Sequence, residues 1–180
     1  MGPKAVRDMI DFILGGARSG KSAMAERIAT TRAKQVVYIA TAQNRDAEMS
    51  ARIHHHQTRR PDNWITVEEP VDLDQVLKEY DRQNHLILVD CLTLWVSNLL
   101  CLSDSSVFAL KKAALLEQLR QQQCDLILVS NETGLGIVPI GDLTRRFVDE
   151  SGWLHQDIAQ IADRVTLVVA GLPQLLKDTQ

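Results

Sequence analysis

Residues 15–22 read G-G-A-R-S-G-K-S and match the spacing G-x-x-x-x-G-K-[ST] of a phosphate-binding loop. An apolar run precedes them and a helix-compatible stretch follows, which is the context that such a loop needs. The glycines allow backbone N–H groups to converge on phosphate oxygens, the lysine can reach the β- and γ-phosphates, and the final serine can ligate Mg²⁺. We therefore predict a nucleoside triphosphate site formed by Gly15, Gly16, Ala17, Arg18, Ser19, Gly20, Lys21 and Ser22.

Asp90 is a second candidate for nucleotide chemistry. It ends the apolar run 86–89 and so places a carboxylate at the carboxyl end of a buried strand. Ligands of open α/β sheets collect along that edge, and proteins with a phosphate loop keep an acid there that helps to hold Mg²⁺. An aspartate at this point can also be a simple turn residue, but beside a phosphate loop the metal role is favoured. We predict that Ser22 and Asp90 share the metal.

Three consecutive histidines, His54 to His56, form the least usual feature of the chain. On a helix they point about 100° apart, and the i, i+4 spacing of a helical metal pair is absent, so metal chelation is disfavoured. A solvated helix face is the simplest interpretation. However, Arg52, Arg59 and Arg60 surround the run in a slightly acidic chain, which indicates an anion site, and a neutral imidazole is a competent nucleophile at phosphorus. Both interpretations stay open at this point.

The elements that must position these residues alternate along the chain. Short runs rich in Val, Ile and Leu predict strands over 10–14, 36–40, 86–90, 126–130 and 165–170, with a short strand over 64–68. Helical patterns lie between them over 46–59, 71–80, 92–102, 107–123 and 141–162. Strands that are apolar on both faces are typical of a covered parallel sheet. We predict a doubly wound α/β fold of the P-loop NTPase type, with a mostly parallel sheet and helices on both faces.

Composition indicates a compact globular protein. The 180 residues, 45% hydrophobic and 24% charged, predict a single domain over 1–180, with 1–8 as a loosely ordered extension. A net charge of −3 argues against a nucleic-acid partner. The apolar stretch 91–102 is too short to span a membrane, and residues 1–8 contain no hydrophobic region of the secretory kind, so we expect no membrane span and no secretory leader. Cys91, Cys101 and Cys124 lack paired spacing, so we expect buried free thiols in a cytoplasmic protein.

Several unusual motifs occur in a fixed order along the chain. They are G-G-A-R-S-G-K-S at 15–22, Y-I-A-T-A-Q at 38–43, D-A-E-M-S-A-R-I-H-H-H at 46–56, W-I-T-V-E-E-P at 64–70, L-V-D-C-L-T-L-W-V-S-N-L-L at 88–100, S-N-E-T-G-L-G-I-V-P at 130–139 and V-V-A-G-L-P at 168–173. On these motifs the chain resembles the bifunctional adenosylcobinamide kinase/adenosylcobinamide-phosphate guanylyltransferase family of cobalamin biosynthesis. The resemblance covers nearly everything after the first eight or nine residues.

The resemblance implies two reactions. The first transfers a γ-phosphate from ATP or GTP to the aminopropanol hydroxyl of adenosylcobinamide. The second transfers GMP from GTP to that phosphate and yields adenosylcobinamide-GDP. In the family the guanylyl group passes through a covalent intermediate on the first His of an R-I-x-H-H element, which is His55 here, with His54 at the variable position.

The resemblance also implies the remaining site residues. Besides the phosphate loop with Lys21, guanine nucleotide is expected to contact Thr41, Ala42, Gln43, His56, Gln57, Thr58, Arg59, Glu68 and Asp90. Mg²⁺ is the expected cofactor and a homotrimer the expected assembly. His155 departs from the family pattern, which usually carries an Asn there.

Two rival functions fit the phosphate loop alone. A small-molecule kinase would use the histidines only to bind substrate phosphate, and would form no covalent GMP. A nucleotide-dependent binding module would bind or hydrolyse nucleotide without any transferase activity. The sequence lacks the N-K-x-D element by which GTPase switches read guanine, which weakens the second rival.

Overall fold

The computed structural model describes residues 9–32, 34–43 and 61–179. The strands in this part of the chain are β1 (Ile10–Gly15), β2 (Gln35–Ala40), β3 (Ile65–Glu68), β4 (His85–Asp90), β5 (Asp125–Asn131), β6 (Arg164–Val169) and β7 (Leu172–Asp178). The helices are α1 (Lys21–Thr31), α2 (Leu73–Tyr80), α3 (Leu92–Leu100), α4 (Ser106–Gln121) and α5 (Asp142–Ile161). The predicted helix 46–59 and the extension 1–8 lie outside the described residues.

All seven described strands belong to one sheet in the order β3-β2-β4-β5-β1-β6-β7. Every neighbouring pair is parallel except β6 and β7. The strand β5 therefore separates β1, which leads into the phosphate loop, from β4, which ends at Asp90. The prediction of a mostly parallel α/β sheet is confirmed.

The sheet is covered on both faces because its central strands are apolar on both. On one face, Ala25 and Ala29 of α1 pack against Ile13 and neighbouring strand residues. On the other face, α2 to α5 supply the larger cluster, which includes Phe12 of β1 together with Trp95 and Leu154. Small alanines on α1 let that helix lie close to the sheet, directly behind the phosphate loop that precedes it. None of the described helices is long and apolar enough to cross a membrane.

The last strand, β7, was not predicted from the sequence. Residues 172–178 include Pro173 and show no apolar alternation, so their pattern does not indicate a strand. The chain reverses at Ala170 and Gly171, which both have positive φ (52° and 79°), and β7 pairs antiparallel with β6 at the edge of the sheet. An edge strand tolerates a proline because its N–H groups need no partner on the outer side.

Lys177 in β7 closes the end of α5. Its Nζ donates to the carbonyl oxygens of Ala159 (2.9 Å), Gln160 (3.0 Å) and Ala162 (2.6 Å). The last carbonyls of a helix have no partner within the helix, and a cation there also complements the helix dipole. The edge strand is therefore tied to the layer of helices.

Several element ends differ from the prediction by one or two residues. The clearest case is α2, predicted from residue 71 but starting at Leu73. Oε1 of Glu69 accepts hydrogen bonds from the backbone N–H groups of Val71 (2.8 Å) and Asp72 (2.7 Å), which holds those residues in a turn before the helix. The expectation of buried thiols is correct for Cys91 and Cys124 but wrong for Cys101, which is exposed just after α3 ends.

Candidate nucleotide-binding site

The phosphate loop leaves β1 and enters α1 through a left-handed residue. Gly20 has φ +96° and precedes Lys21, the first residue of the helix, and its carbonyl accepts the N–H of Met24 at 3.0 Å. Within the loop, the N–H of Ser19 donates to the carbonyl of Gly16 at 3.2 Å. The backbone thus takes the turn expected of Gly20, and the first N–H groups of α1 are available to a phosphate.

Gly15 is required by a close approach to its neighbours. A Cβ at this position would lie 2.4 Å from Oγ of Ser19 and 2.6 Å from the carbonyl oxygen of Val168 in β6. Gly20 is similarly close to the turn between β6 and β7, since a Cβ there would lie 3.3 Å from Cα of Gly171. The N–H of Gly171 donates to the carbonyl of Ser19 at 2.8 Å. The β6–β7 turn therefore braces the phosphate loop, a contact that the sequence did not predict.

Lys21 is buried at the base of the loop, and its Nζ donates to the carbonyl of Gly16 at 3.2 Å. Burial lowers the pKa of Lys21, while the nearby Cys91 and Asp90 act in the opposite direction. This electrostatic influence indicates that the ammonium group of Lys21 and the carboxylate of Asp90 lie near each other. The ammonium group of Lys21 could exchange this carbonyl for a phosphate oxygen as its hydrogen-bond acceptor with little movement of the side chain.

Asp90 ends β4 half-buried, and its Oδ2 accepts a hydrogen bond from the hydroxyl of Tyr38 at 3.1 Å. Mg²⁺ prefers hard oxygen ligands and usually keeps waters and substrate phosphates, with one or two protein ligands. The carboxylate of Asp90 and the hydroxyl of Ser22 fit that donor set. In the described ranges no three His, Cys, Asp or Glu side chains form a larger metal-binding group.

Cys91, which follows Asp90, does not supply a nucleophile. Burial, and secondarily the charge of Asp90, raise the pKa of this thiol to about 11. Its Sγ lies 3.1 Å from Oγ1 of Thr93. The thiol therefore stays protonated at neutral pH. It packs in the apolar cluster on the face of the sheet that α1 covers.

The predicted contacts after β2 and β3 lie at the same edge of the sheet as Asp90. The β-ladder pairs Ala40 with Asp90 on one side and with Glu68 on the other. Thr41 is fully buried, whereas Ala42 and Gln43 are half-buried and Glu68 is exposed. The structure thus brings the phosphate loop, residues 41–43, Glu68 and Asp90 to one edge.

The remaining predicted site residues are His55, His56, Gln57, Thr58 and Arg59, and they lie outside the described residues. Two side chains of the site were missed by sequence reasoning. Tyr38 lies within the motif at 38–43. Its hydrogen bond to Asp90 joins two strands that are distant in the sequence, so no local sequence pattern indicates it. Asn98 lies within the motif at 88–100 and is described below.

Comparison with known proteins identifies the family. A family model described as cobinamide kinase / cobinamide phosphate guanyltransferase matches residues 11–176. The chain belongs to this cobinamide kinase / cobinamide phosphate guanyltransferase family. The match confirms the resemblance found from the motifs and the prediction of a transferase.

Curated relatives span almost the whole chain. A bifunctional adenosylcobalamin biosynthesis protein, CobP, of Pseudomonas aeruginosa is 54% identical over 169 residues, which cover 94% of this chain and 98% of that protein. The bifunctional adenosylcobalamin biosynthesis protein CobU of Escherichia coli is 38% identical, with 94% of this chain and 100% of that protein covered. Both names describe bifunctional proteins, as the motifs of this family member predict.

Solved structures of more distant proteins share the fold. The flagellar accessory protein FlaH from Methanocaldococcus jannaschii superposes with a TM-score of 0.51 at 14% identity, covering 96% of this chain and 79% of that one. A KaiC-like protein from Pyrococcus horikoshii gives 0.50 at 14% identity, covering 89% and 71%. These similarities support the P-loop NTPase-like fold of this family member and nothing about its substrate.

Proposed function

We propose that the chain phosphorylates adenosylcobinamide with ATP or GTP and then transfers GMP from GTP to the product, giving adenosylcobinamide-GDP. The observation that carries this proposal is the family match over residues 11–176, together with 54% identity to a bifunctional relative across 94% of the chain. The phosphate loop and Asp90 at one edge of the sheet support a triphosphate substrate. All described strands lie in one sheet, which supports a single domain as the unit that acts.

In the first reaction the substrate hydroxyl attacks the γ-phosphorus, and the bond to the bridging oxygen of the nucleoside diphosphate breaks. Catalysis of this kind depends mainly on positioning and on charge stabilisation. The loop amides and Lys21 bind the phosphates in this proposal. Ser22 and Asp90 would hold Mg²⁺, which neutralises charge on the phosphate oxygens when bound.

The second reaction proceeds at the α-phosphorus of GTP, and a nucleophile of the protein would divide it into two displacements, so that GMP stays on the enzyme until the second substrate binds. A ring nitrogen of His55 would attack that phosphorus and release pyrophosphate, and the phosphate oxygen of the cobinamide product would then displace the imidazole. Nucleotide contacts in this step are proposed for Thr41, Ala42, Gln43, His56, Gln57, Thr58, Arg59, Glu68 and Asp90. The family match supports this set, because every residue of it lies within the matched range 11–176.

Labelled GTP tests the proposal. Label from the α-phosphate should stay with the denatured protein as an acid-labile, alkali-stable phosphoramidate, and label from the γ-phosphate should not. His55→Asn should abolish the covalent label and adenosylcobinamide-GDP formation while phosphorylation of adenosylcobinamide continues. His54→Asn is the matched control and should keep the label, because neighbouring positions on a helix point about 100° apart.

Other outcomes distinguish the rival functions. Label that moves to His54 or His56 would place the nucleophile one residue away. No covalent label in the presence of cobinamide phosphorylation would indicate a simple kinase. Nucleotide binding without any cobinamide-dependent turnover would indicate a binding module.

We also propose a homotrimer located in the cytoplasm. Large apolar side chains are exposed in two stretches, which supports assembly. Leu135, Ile137, Val138, Ile140 and Leu143 lie in or next to the loop before α5, and Leu172, Leu175 and Leu176 lie in β7. Two buried free thiols suit a reducing compartment. Light scattering after size exclusion gives the mass, and a monomeric mass at micromolar concentration would contradict the trimer.

A further inference from the structure

The helix α3 contacts three of the loops at the nucleotide edge of the sheet through side chains that are all buried. Oγ1 of Thr93 accepts the N–H of Asn131, at the end of β5, over 3.3 Å. Nε1 of Trp95 donates to the carbonyl of Val71, after β3, over 2.9 Å. The helix itself begins two residues after Asp90. One short helix is therefore bonded to the segments that follow β3 and β5 and is continuous with β4.

Asn98 adds the segment after β2. Its Nδ2 donates to the carbonyl of Thr41 at 2.8 Å and to the carbonyl of Pro70 at 3.2 Å, and the residue is only 6% exposed. Both donors of one amide group are thus used on two loops that are far apart in the sequence. A buried hydrogen bond to a carbonyl is costly to lose, because the carbonyl is then left without a partner away from water.

Thr41 is fixed from a second direction. Its Oγ1 donates to the carbonyl of Cys91 at 2.7 Å and accepts the N–H of Cys91 at 3.0 Å. The bonds from Asn98 and Cys91 therefore hold the start of the segment 41–43. On the other loop, the bond to Pro70 lies two residues after Glu68, while the N–H of Glu69 donates to the carbonyl of Ala40 at 2.9 Å.

We propose that Asn98 is a positioning residue for guanylyl transfer. Its amide group sets the distance between the segment 41–43 and the segment that carries Glu68. In the proposed function the nucleotide contacts both segments, in addition to the phosphate loop and Asp90. Asn98 itself touches neither nucleotide nor metal in this assignment. The inference rests on the proposed function, since it concerns the geometry of that same site.

Two substitutions of similar size remove the donors in different ways. Asn98→Leu replaces the amide with an apolar group and leaves two carbonyls without a partner. Asn98→Asp places an acceptor against the same two carbonyls, which raises the pKa of the introduced carboxyl. When that carboxyl is protonated it can donate one hydrogen bond again, so the effect of Asn98→Asp depends on pH and that of Asn98→Leu does not.

The test measures GMP transfer from GTP in the full-length protein. We expect both variants to raise the KM for GTP by about 10-fold or more at neutral pH. A change of this size corresponds to the loss of one or two buried hydrogen bonds. We expect the activity of Asn98→Asp relative to wild type to recover as the pH is lowered from about 8 to about 6. Leu115→Ala is the control for lost stability. Leu115 is fully buried in α4, and its apolar side chain makes no hydrogen bond to either loop.

The outcomes separate this inference from the function on which it rests. Wild-type protein that transfers no GMP would overturn the proposed function. The positioning role would be overturned if the wild-type protein transfers GMP but the Asn98 variants and Leu115→Ala have the same KM for GTP at the same loss of melting temperature. A pH profile of Asn98→Asp that is parallel to that of Asn98→Leu would also contradict it.

Discussion

The hydroxyl of Tyr38 in β2 donates a hydrogen bond to Oδ2 of Asp90 in β4, across 3.1 Å between adjacent strands. The two residues are not opposite each other in the ladder, where Tyr38 pairs with Leu88 and Asp90 pairs with Ala40. The tyrosine therefore reaches toward the carboxyl end of the neighbouring strand and fixes the orientation of its terminal carboxylate. A carboxylate that is preorganised in this way would lose less entropy if it bound a cation.

Asp90→Asn should weaken Mg²⁺-dependent turnover more than it weakens nucleotide binding without metal. Tyr38→Phe should raise the Mg²⁺ concentration needed for half-maximal activity several-fold and change kcat less, because it removes only the orienting hydrogen bond. Titration of activity with Mg²⁺ measures both effects. Affinity for metal-free nucleotide that falls in Asp90→Asn, with no rescue by added Mg²⁺, would show that the carboxylate serves the nucleotide directly.

Lys21→Ala should impair both phosphorylation and guanylyl transfer. Removal of one preorganised charge contact costs on the order of 10²–10³ in rate, and the loop is proposed to bind the triphosphate in each reaction. Initial rates of both reactions give the comparison. Full kinase activity in this variant would mean that the loop is not the catalytic phosphate site.

Gly20→Ala should reduce nucleotide affinity, because φ of +96° strains any residue with a Cβ and the added methyl group would lie 3.3 Å from Cα of Gly171. Gly152→Ala is the matched control, since no atom outside the adjacent helix backbone lies within 4 Å of its added Cβ and the position is inside α5. The control should keep full affinity and gain up to about 1 kcal/mol of stability. Equal nucleotide affinity for both variants would contradict the left-handed turn.

His155 should make stability depend on pH in the acid range. Burial lowers its pKa to about 4, with the charge of Glu132 acting in the opposite direction, and its Nε2 lies 2.8 Å from Oγ of Ser130. Between about pH 6.5 and pH 4 the unfolded chain binds a proton at this histidine that the folded chain does not. The free energy of unfolding should therefore fall by roughly 3 kcal/mol across that window and show no further loss from this group below it.

His155→Asn introduces the residue that the family resemblance leads us to expect. It should remove the pH-dependent contribution of this side chain to the free energy of unfolding. Denaturant unfolding at a series of pH values, compared with wild type, isolates the histidine because every other titrating group is shared. Parallel stability curves for the two proteins would show that His155 is not held neutral by the fold.

The sequence predicted the parts of this structure whose signals are local. The phosphate loop, the central strands and the position of Asp90 follow from short motifs and apolar runs that need no knowledge of distant residues. The strand β7 was missed because an exposed edge strand with a proline carries no such pattern. The bonds made by Tyr38 and Asn98 were missed because each joins segments that only the folded sheet brings together.

The brace between Gly171 and Ser19 has a consequence for biosynthesis of the protein. The phosphate loop is synthesised early. The β6–β7 turn that supports it is synthesised only after β1 to β6 and all of the described helices. A nascent chain that has not yet reached the β6–β7 turn lacks the donor for the carbonyl of Ser19. The hydrogen bond from the β6–β7 turn to the phosphate loop can therefore form only late in translation, and a chain that stops before residue 170 lacks its donor.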